Sequence, residues 1–119
     1  MRRNRIFWLA LVPVVTAAWL LAAPPRWWLN LTKPVDLSRP VQAGAELVDG
    51  YNCRHCHRIA GRGALTAVDL DGVTKRLDAA ALRLWLRKPR QVRPDTAMPN
   101  LRLSDPEIEA IIAYLSDLP

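Results

Sequence analysis

The feature that most constrains this chain is the segment Cys53-Arg54-His55-Cys56-His57, where two cysteines three residues apart are followed at once by a histidine. On a helix Cys53 and Cys56 share one face, so each sulfur can add to one of the two vinyl groups on the edge of a haem. His57 follows directly, and from there its imidazole can bind the iron as an axial ligand. The segment therefore predicts one covalently attached haem c.

Other uses of paired cysteines fit the composition less well. A zinc site usually takes four ligands, but this chain has only two cysteines and two histidines, all within these five residues. A thioredoxin-like redox pair expects a βαβ context, and nothing here alternates strand with helix. A structural disulfide between Cys53 and Cys56 remains as the weaker alternative.

Met98 is the candidate for the second axial ligand of the iron. His55 lies two residues before the proximal histidine, projects from another side of the same turn and is expected to be solvated; Met1 is the initiator. Met98 lies in a loop punctuated by prolines, between a helix expected to end before Pro89 and another expected to begin near Ser104. The alternative is a methionine that fills a gap in the core.

Local patterns predict helices on both sides of this loop. Ser104 and Glu107 have the spacing of a capping box, and Asp78 is a possible N-cap for the preceding helix. Apolar residues then recur at helical spacing on one face of each helix: Ile108, Ile111, Ile112 and Leu115 in the last, and Leu82, Trp85 and Leu86 in the one before it. No alternating strand pattern competes, so an all-α fold is predicted.

These motifs together resemble a class I monohaem cytochrome c. Residues 82–89, 93–99 and 103–115 are similar, in this order, to the family's third helix, methionine loop and C-terminal helix, and Gly44 lies nine residues before Cys53, where the family's first helix has a glycine. The resemblance covers roughly residues 41 to 118. It implies three main helices and their loops around one covalent haem, with the first and last helices crossing near Gly44 and Tyr114. It also implies electron transfer, through iron bound by His57 and Met98.

One departure from the family pattern concerns the proximal histidine. The family often has Gly-Pro-Asp-Leu after the haem motif, with the proline carbonyl bonding that histidine, whereas this chain has Ala67-Val68-Asp69-Leu70. Because the acceptor is main chain rather than side chain, a backbone carbonyl is still expected to serve here and to orient the ring.

The N-terminal part of the chain is organised separately. Residues 1–5 are basic and residues 6–23 form an apolar run of 18 residues, which as a helix rises about 27 Å and nearly matches a bilayer core of roughly 30 Å. We expect a retained single-pass anchor, because Trp27 and Trp28 suit the membrane interface and the cleavage site is poor; a cleaved signal peptide is the alternative. Residues 24–42 hold four prolines and predict a semi-extended tether, followed by the cytochrome domain at 43–119.

The arginines predict the orientation of this anchor. Arg2, Arg3 and Arg5 should remain cytoplasmic, which places the haem domain on the periplasmic side of a bacterial inner membrane, where c-type haem is attached. The formal net charge of +6 arises mostly at the anchor, so a general field for nucleic acid is not supported. A local basic cluster near the methionine loop could steer docking of an acidic redox partner or could simply be solvated; it comprises Arg83, Arg87, Lys88, Arg90 and Arg93.

Two functions of different classes follow from these residues. With His57 and Met98 both bound, the iron has no open position, and the protein is an electron carrier rather than an enzyme. If Met98 were displaced, a haem enzyme or gas sensor would be the alternative. Within electron transfer, we expect a subunit of a respiratory or photosynthetic complex, with redox proteins as partners. A tethered shuttle outside any stable complex is the other possibility.

Overall fold

The computed structural model describes the backbone of residues 2–119 and the side chains of residues 7–119, so the predicted basic flank 1–5 lies outside the described side chains. Within the described backbone there are six α-helices and no strand, only an isolated bridge between Ile59 and Arg62. The helices are α1 (Arg2–Ala22), α2 (Arg26–Thr32), α3 (Pro40–Gly50), α4 (Ala79–Arg87), α5 (Pro89–Val92) and α6 (Asp105–Asp117). Short 3-10 turns cover Cys53–His55 and Val73–Lys75. The all-α prediction is confirmed.

Both predicted N-caps are formed. The Ser104 hydroxyl accepts a hydrogen bond from the Glu107 backbone N–H at 3.3 Å, and the Glu107 carboxylate accepts from the Ser104 N–H at 2.7 Å. At the start of α4, the Asp78 carboxylate accepts from the Ala81 N–H at 2.8 Å. Each cap satisfies backbone donors that have no partner inside the helix, which explains why α4 and α6 begin where they do.

Helices α3 and α6 cross in close contact at Gly44. A Cβ at this position would overlap the carbonyl oxygen of Ala110 and would lie 2.7 Å from the Cβ of Tyr114. Only a glycine allows this approach of the two backbones. The crossing implied by the resemblance is therefore present, and it joins the helix before the haem motif to the C-terminal helix.

The core lies between α3, α4, α6 and the turn at Val73. The predicted stripe on α6 is buried in full, and the buried apolar cluster comprises Val48, Ile59, Val73, Leu82, Leu103, Ile108, Ile111, Ile112 and Leu115. On the predicted stripe of α4 only Leu82 is buried, while Trp85 and Leu86 are half-buried. Those two side chains line a cavity, which is described below.

The N-terminal helix α1 carries exposed apolar side chains along its described length, including Phe7, Trp8, Leu9 and Trp19. Among the described residues no helix by itself has the length and hydropathy of a membrane span. Phe7–Ala22 and Arg26–Thr32 satisfy both criteria only when taken together, and the two helices are bent by 77° at the break between them. The single span predicted for residues 6–23 stays a prediction.

The segment expected to be a semi-extended tether is partly helical. Residues 26–32 form α2, and the first helix of the haem domain already begins at Pro40. Leu29 of α2 is buried, and Asn30 donates a hydrogen bond to the Asp105 carboxylate at 2.7 Å. The prolines at 24, 25 and 34 flank α2 and lie outside it, with Pro25 as its N-cap residue.

Candidate functional site

The haem-attachment motif lies in a tight turn that directly follows α3. Asn52 adopts a left-handed conformation with φ 56°, which ends α3 and starts the 3-10 turn Cys53–His55. The backbone N–H groups of Cys56 and His57 both donate to the Cys53 carbonyl, at 3.2 and 3.0 Å. The sequence predicted from helical spacing that the two cysteines lie on one side of the backbone. In the structure a single 3-10 turn, and not a longer helix, brings them together.

The loop after the motif folds back onto it at Gly63. This residue has φ 109°, and a Cβ there would overlap the His57 carbonyl oxygen and approach the Arg54 carbonyl oxygen to 2.9 Å. The Ala64 N–H donates to the Arg54 carbonyl at 3.0 Å, and the Ala67 N–H donates to the Cys56 carbonyl at 2.9 Å. These bonds bring residues 64–68 alongside the haem motif.

The His57 ring is oriented by a main-chain acceptor. Its Nδ1 lies 2.7 Å from the Val68 carbonyl oxygen, so Nδ1 carries the proton that is donated. The lone pair is then on Nε2, the nitrogen that is free to bind a metal. Val68 occupies the position of the family's proline, as expected.

The two cysteines and His55 differ in their exposure. Cys53 is half-buried against the core and Cys56 is exposed, and no disulfide joins the two. His55 is exposed, in agreement with the prediction that it is solvated.

A cavity of about 640 Å³ lies beside His57, and Met98 lines the same cavity. Its size is within the range of about 300–1,000 Å³ that is common for small-molecule and cofactor pockets. Most of the lining is apolar and comes from the loop after the haem motif, from α4 and from α6, including Leu70, Val73, Leu82, Trp85, Leu86 and Leu115. The structure therefore brings both predicted axial residues to one largely apolar cavity.

Met98 is held by a local turn in the loop between α5 and α6. Its backbone N–H donates to the Thr96 hydroxyl at 3.2 Å, and the Thr96 N–H donates to the Arg93 carbonyl at 3.1 Å. The Met98 side chain is half-buried. Sequence reasoning predicted an irregular loop from Pro89 onward, whereas Pro89–Val92 form the short helix α5, with Pro89 in its first turn.

A family model for cytochrome c matches residues 41–119, about two thirds of the chain. The chain belongs to the cytochrome c family. Its domain carries covalent haem c, and Cys53 and Cys56 fit attachment of a single haem. No individual curated protein matches the chain at significant similarity.

The residues present in this cytochrome fit a haem. The cavity offers an apolar enclosure for the macrocycle, and His57 presents an unprotonated Nε2 while Met98 offers a thioether. Arg76 and Arg93 also line the cavity, and a guanidinium can bind the carboxylates of a haem; Arg93 lies 3.2 Å from Asp95, which lines the same cavity. Haem supplies an iron centre that accepts and releases one electron, the activity typical of the family.

Other groups near the methionine loop could in principle bond a haem carboxylate. Of these, Trp85 lines the cavity, whereas Arg87, Lys88 and Arg90 do not. Arg87 donates instead to Asp105 at 2.7 Å, and Lys88 and Arg90 line a separate groove beside Pro99 and Asn100. No sequence motif around Arg76 predicts that it lines the cavity. Its position depends on the preceding 3-10 turn, Val73–Lys75.

The predicted basic cluster is partly neutralised by carboxylates. Arg83 binds Glu109 at 2.5 and 2.9 Å, and Arg93 lies 3.2 Å from Asp95. Lys88 and Arg90 are exposed, and no carboxylate among the described side chains pairs with them. The positive surface of this region is therefore smaller than the sequence suggests.

Proposed function

We propose that this cytochrome is a membrane-anchored, single-electron carrier whose haem iron is bound by His57 and Met98. The observation that carries the proposal is that both side chains line the same apolar cavity, next to a motif that supplies two thiols. The bond from His57 Nδ1 to the Val68 carbonyl supports ligation through Nε2. With a thioether as the other ligand, the reduction potential is raised, which suits transfer of electrons toward an oxidant.

Ligation by Met98 is tested by carbon monoxide binding to the reduced holoprotein. We expect the wild-type protein to bind carbon monoxide slowly or not at all, because both axial positions are filled. Met98→Ala should open one position, bind carbon monoxide readily and lower the reduction potential. His55→Ala is the matched control, since His55 is exposed and should leave both properties unchanged. Rapid binding by the wild-type protein would contradict the proposal and favour a haem enzyme or gas sensor.

Membrane anchoring is supported by the exposed apolar surface of α1. Side chains such as Phe7, Leu9 and Leu21 are exposed, and no described part of the chain forms a core over them. The Thr16 hydroxyl donates to the Val12 carbonyl at 2.8 Å, which satisfies a polar group that lipid could not. We infer an orientation with Arg2, Arg3 and Arg5 in the cytoplasm and the haem domain in the periplasm. Extraction of membranes with alkaline carbonate tests the anchor, and protease treatment of intact spheroplasts tests the side.

We further propose that the protein works as a subunit of a respiratory or photosynthetic electron-transfer complex. The support is that the haem domain is bound to the segment next to α1 through Arg26, Asn30 and Asp105, and so lacks the free tether of a swinging carrier. A native gel of a mild-detergent extract, stained for covalent haem, tests this. Migration with a large assembly is expected. A haem band at the size of one small protein would instead indicate a shuttle.

A further inference from the structure

Helix α2 has two faces of opposite character, and only one of them contacts the haem domain. Arg26, Leu29, Asn30 and the following Lys33 fall on the inner face at helical spacing. Trp27 and Leu31, four residues apart, fall on the outer face. The two faces have different partners.

The inner face is bound by several polar contacts to the segment that joins the methionine loop to α6. Arg26 donates to the Leu103 carbonyl at 2.8 Å and also to the Asp105 carboxylate. Asn30 bonds Asp105 twice, with its amide donating to the carboxylate at 2.7 Å and its carbonyl accepting from the Asp105 N–H at 2.8 Å. The Ser104 hydroxyl donates to the carbonyl of Lys33 at 2.8 Å. These contacts fix the orientation of α2 on the domain.

The outer face is apolar and solvent-exposed. Trp27 is 60 % exposed and Leu31 is 69 % exposed, although both lie on a helix that is otherwise well docked. Trp28 packs edge-on against Trp27, with ring centroids 5.7 Å apart. A face of two or three side chains is far smaller than the roughly 800 Å² per partner of a stable protein interface. A second protein is therefore a poor occupant for it.

The direction of α2 points to lipid as the occupant. The axis of α2 is bent by 77° from that of α1, after a break of only three residues. If α1 crosses a bilayer, α2 then runs nearly along the membrane surface, with the polar domain on one face and the apolar face opposite it. Arg102 of the domain donates to the Leu21 carbonyl at 3.2 Å, so the domain also meets the end of α1.

We propose that Trp27 and Leu31 lie in the headgroup region of a lipid bilayer, and that α2 thereby holds the haem domain in one orientation at the membrane surface. Indole rings favour this region because one part of the ring is apolar and the N–H can bond to water or headgroups. The proposal rests on the anchoring role of α1. Because the haem domain then stays at the membrane surface, its redox partner must be a protein whose electron-transfer site also lies close to the membrane.

Lipid photo-crosslinking tests the contact directly. The full-length holoprotein is placed in phosphatidylcholine nanodiscs that contain a lipid with a diazirine close to the glycerol, and labelled peptides are mapped by mass spectrometry. Trypsin cleavage after Arg26 separates α1 from α2. We expect labels at Trp27 and Leu31 but not at Leu65, which is 62 % exposed on the domain. The double variant Trp27→Ser, Leu31→Ser should lose most of the α2 label, and Leu65→Ser should not.

The outcomes separate this proposal from the anchor itself. If α1 is labelled but α2 is labelled no more than Leu65, the contact of α2 with the membrane surface is refuted and the anchor is supported. Labels on neither helix would overturn both. Labels on α2 without α1 would support the contact and refute the span.

The fixed orientation is tested by linear dichroism of the haem absorption in oriented bilayers. A defined dichroism is expected for the wild-type protein. Asp105→Asn, which weakens the contacts from Arg26 and Asn30, should reduce it. Arg83→Gln breaks a pair with Glu109 elsewhere on the domain and should leave it unchanged. An isotropic signal from the wild-type protein would refute the proposal that α2 holds the haem domain in one orientation. Equal dichroism in Asp105→Asn and the wild-type protein would refute it as well.

Discussion

The crossing of α3 and α6 predicts a specific loss of stability for Gly44→Ala. The new Cβ would overlap the Ala110 carbonyl oxygen and lie 2.7 Å from Tyr114 Cβ. The first of these atoms is backbone, so it can yield only if the helices separate. Overpacking lowers the free energy of unfolding by about 1–3 kcal/mol, and this overlap with backbone belongs toward the upper end of that range. The better helix propensity of alanine offsets about 1 kcal/mol of this loss. The expected net loss is about 1–2 kcal/mol, or roughly 5–15 °C in Tm for a domain of this size.

Chemical unfolding of the ferric holoprotein in detergent measures this change. Gly50→Ala is the matched control, because Gly50 belongs to the same helix and a Cβ there would meet nothing within 4 Å. It should leave the unfolding midpoint unchanged or raise it slightly. If Gly44→Ala were as stable as Gly50→Ala, close approach of the two backbones would not be what requires glycine at this position.

Three further substitutions test other contacts. Ser104→Ala removes the cap of α6 and the donor to the Lys33 carbonyl, and should lower the free energy of unfolding by about 1–2 kcal/mol in denaturant titrations. Hydrogen bonds from Asn30 and Arg26 hold the pKa of Asp105 below its usual value, so its stabilisation is complete above about pH 4 and is lost as pH falls through the folded-state pKa. Asp105→Asn should therefore cost about 1 kcal/mol at pH 7, discounted for solvent exposure, and less below pH 4 when unfolding is followed against pH. Val68→Pro should keep the reduction potential and raise stability by about 0.4–1 kcal/mol, because the acceptor is main chain and the unfolded chain is restricted; a large drop in either quantity would contradict this.

The helices of the haem domain could be predicted from sequence because their signals are local. The capping residues Ser104 and Asp78 and the apolar stripe of α6 each lie within a few residues of the structure that they determine. The carbonyl that orients His57 could also be predicted, since a main-chain acceptor survives the loss of the family's proline.

Contacts between distant parts of the chain could not be predicted in this way. The docking of α2 depends on Asp105, 79 residues after Arg26, and the helix is only seven residues long, so proline content alone suggested a tether. Arg76 reaches the cavity because of a turn whose direction no local pattern encodes. Arg87 belongs to a predicted basic cluster, but its partner Asp105 became visible only in the fold.

The segment that carries the Val68 carbonyl is held by side chains in place of a proline ring. The Asp71 carboxylate accepts from the backbone N–H groups of Ala60 and Gly61, at 2.6 and 2.9 Å, and Arg76 donates to the Asp69 carbonyl at 2.5 Å. The first contact ties residue 71 to the turn after the haem motif. The second ties the residue next to Val68 to the following 3-10 turn. The position of the acceptor for His57 thus depends on Asp71, which lies outside the cavity lining.

Asp71→Asn should therefore loosen the bond between His57 and Val68 without touching the cavity. The amide offers one neutral acceptor oxygen in place of two charged ones, so one of the two backbone donors loses its acceptor and the other keeps only a weaker, neutral one. We expect faster solvent exchange of the His57 Nδ1 proton, measured by NMR on the reduced holoprotein. Asp36→Asn is the control, since the Asp36 carboxylate likewise accepts from a backbone N–H, that of Ser38 at 2.8 Å, but lies before α3 and far from His57 in the sequence. Equal exchange rates in the two variants would show that the Val68 carbonyl is positioned without Asp71.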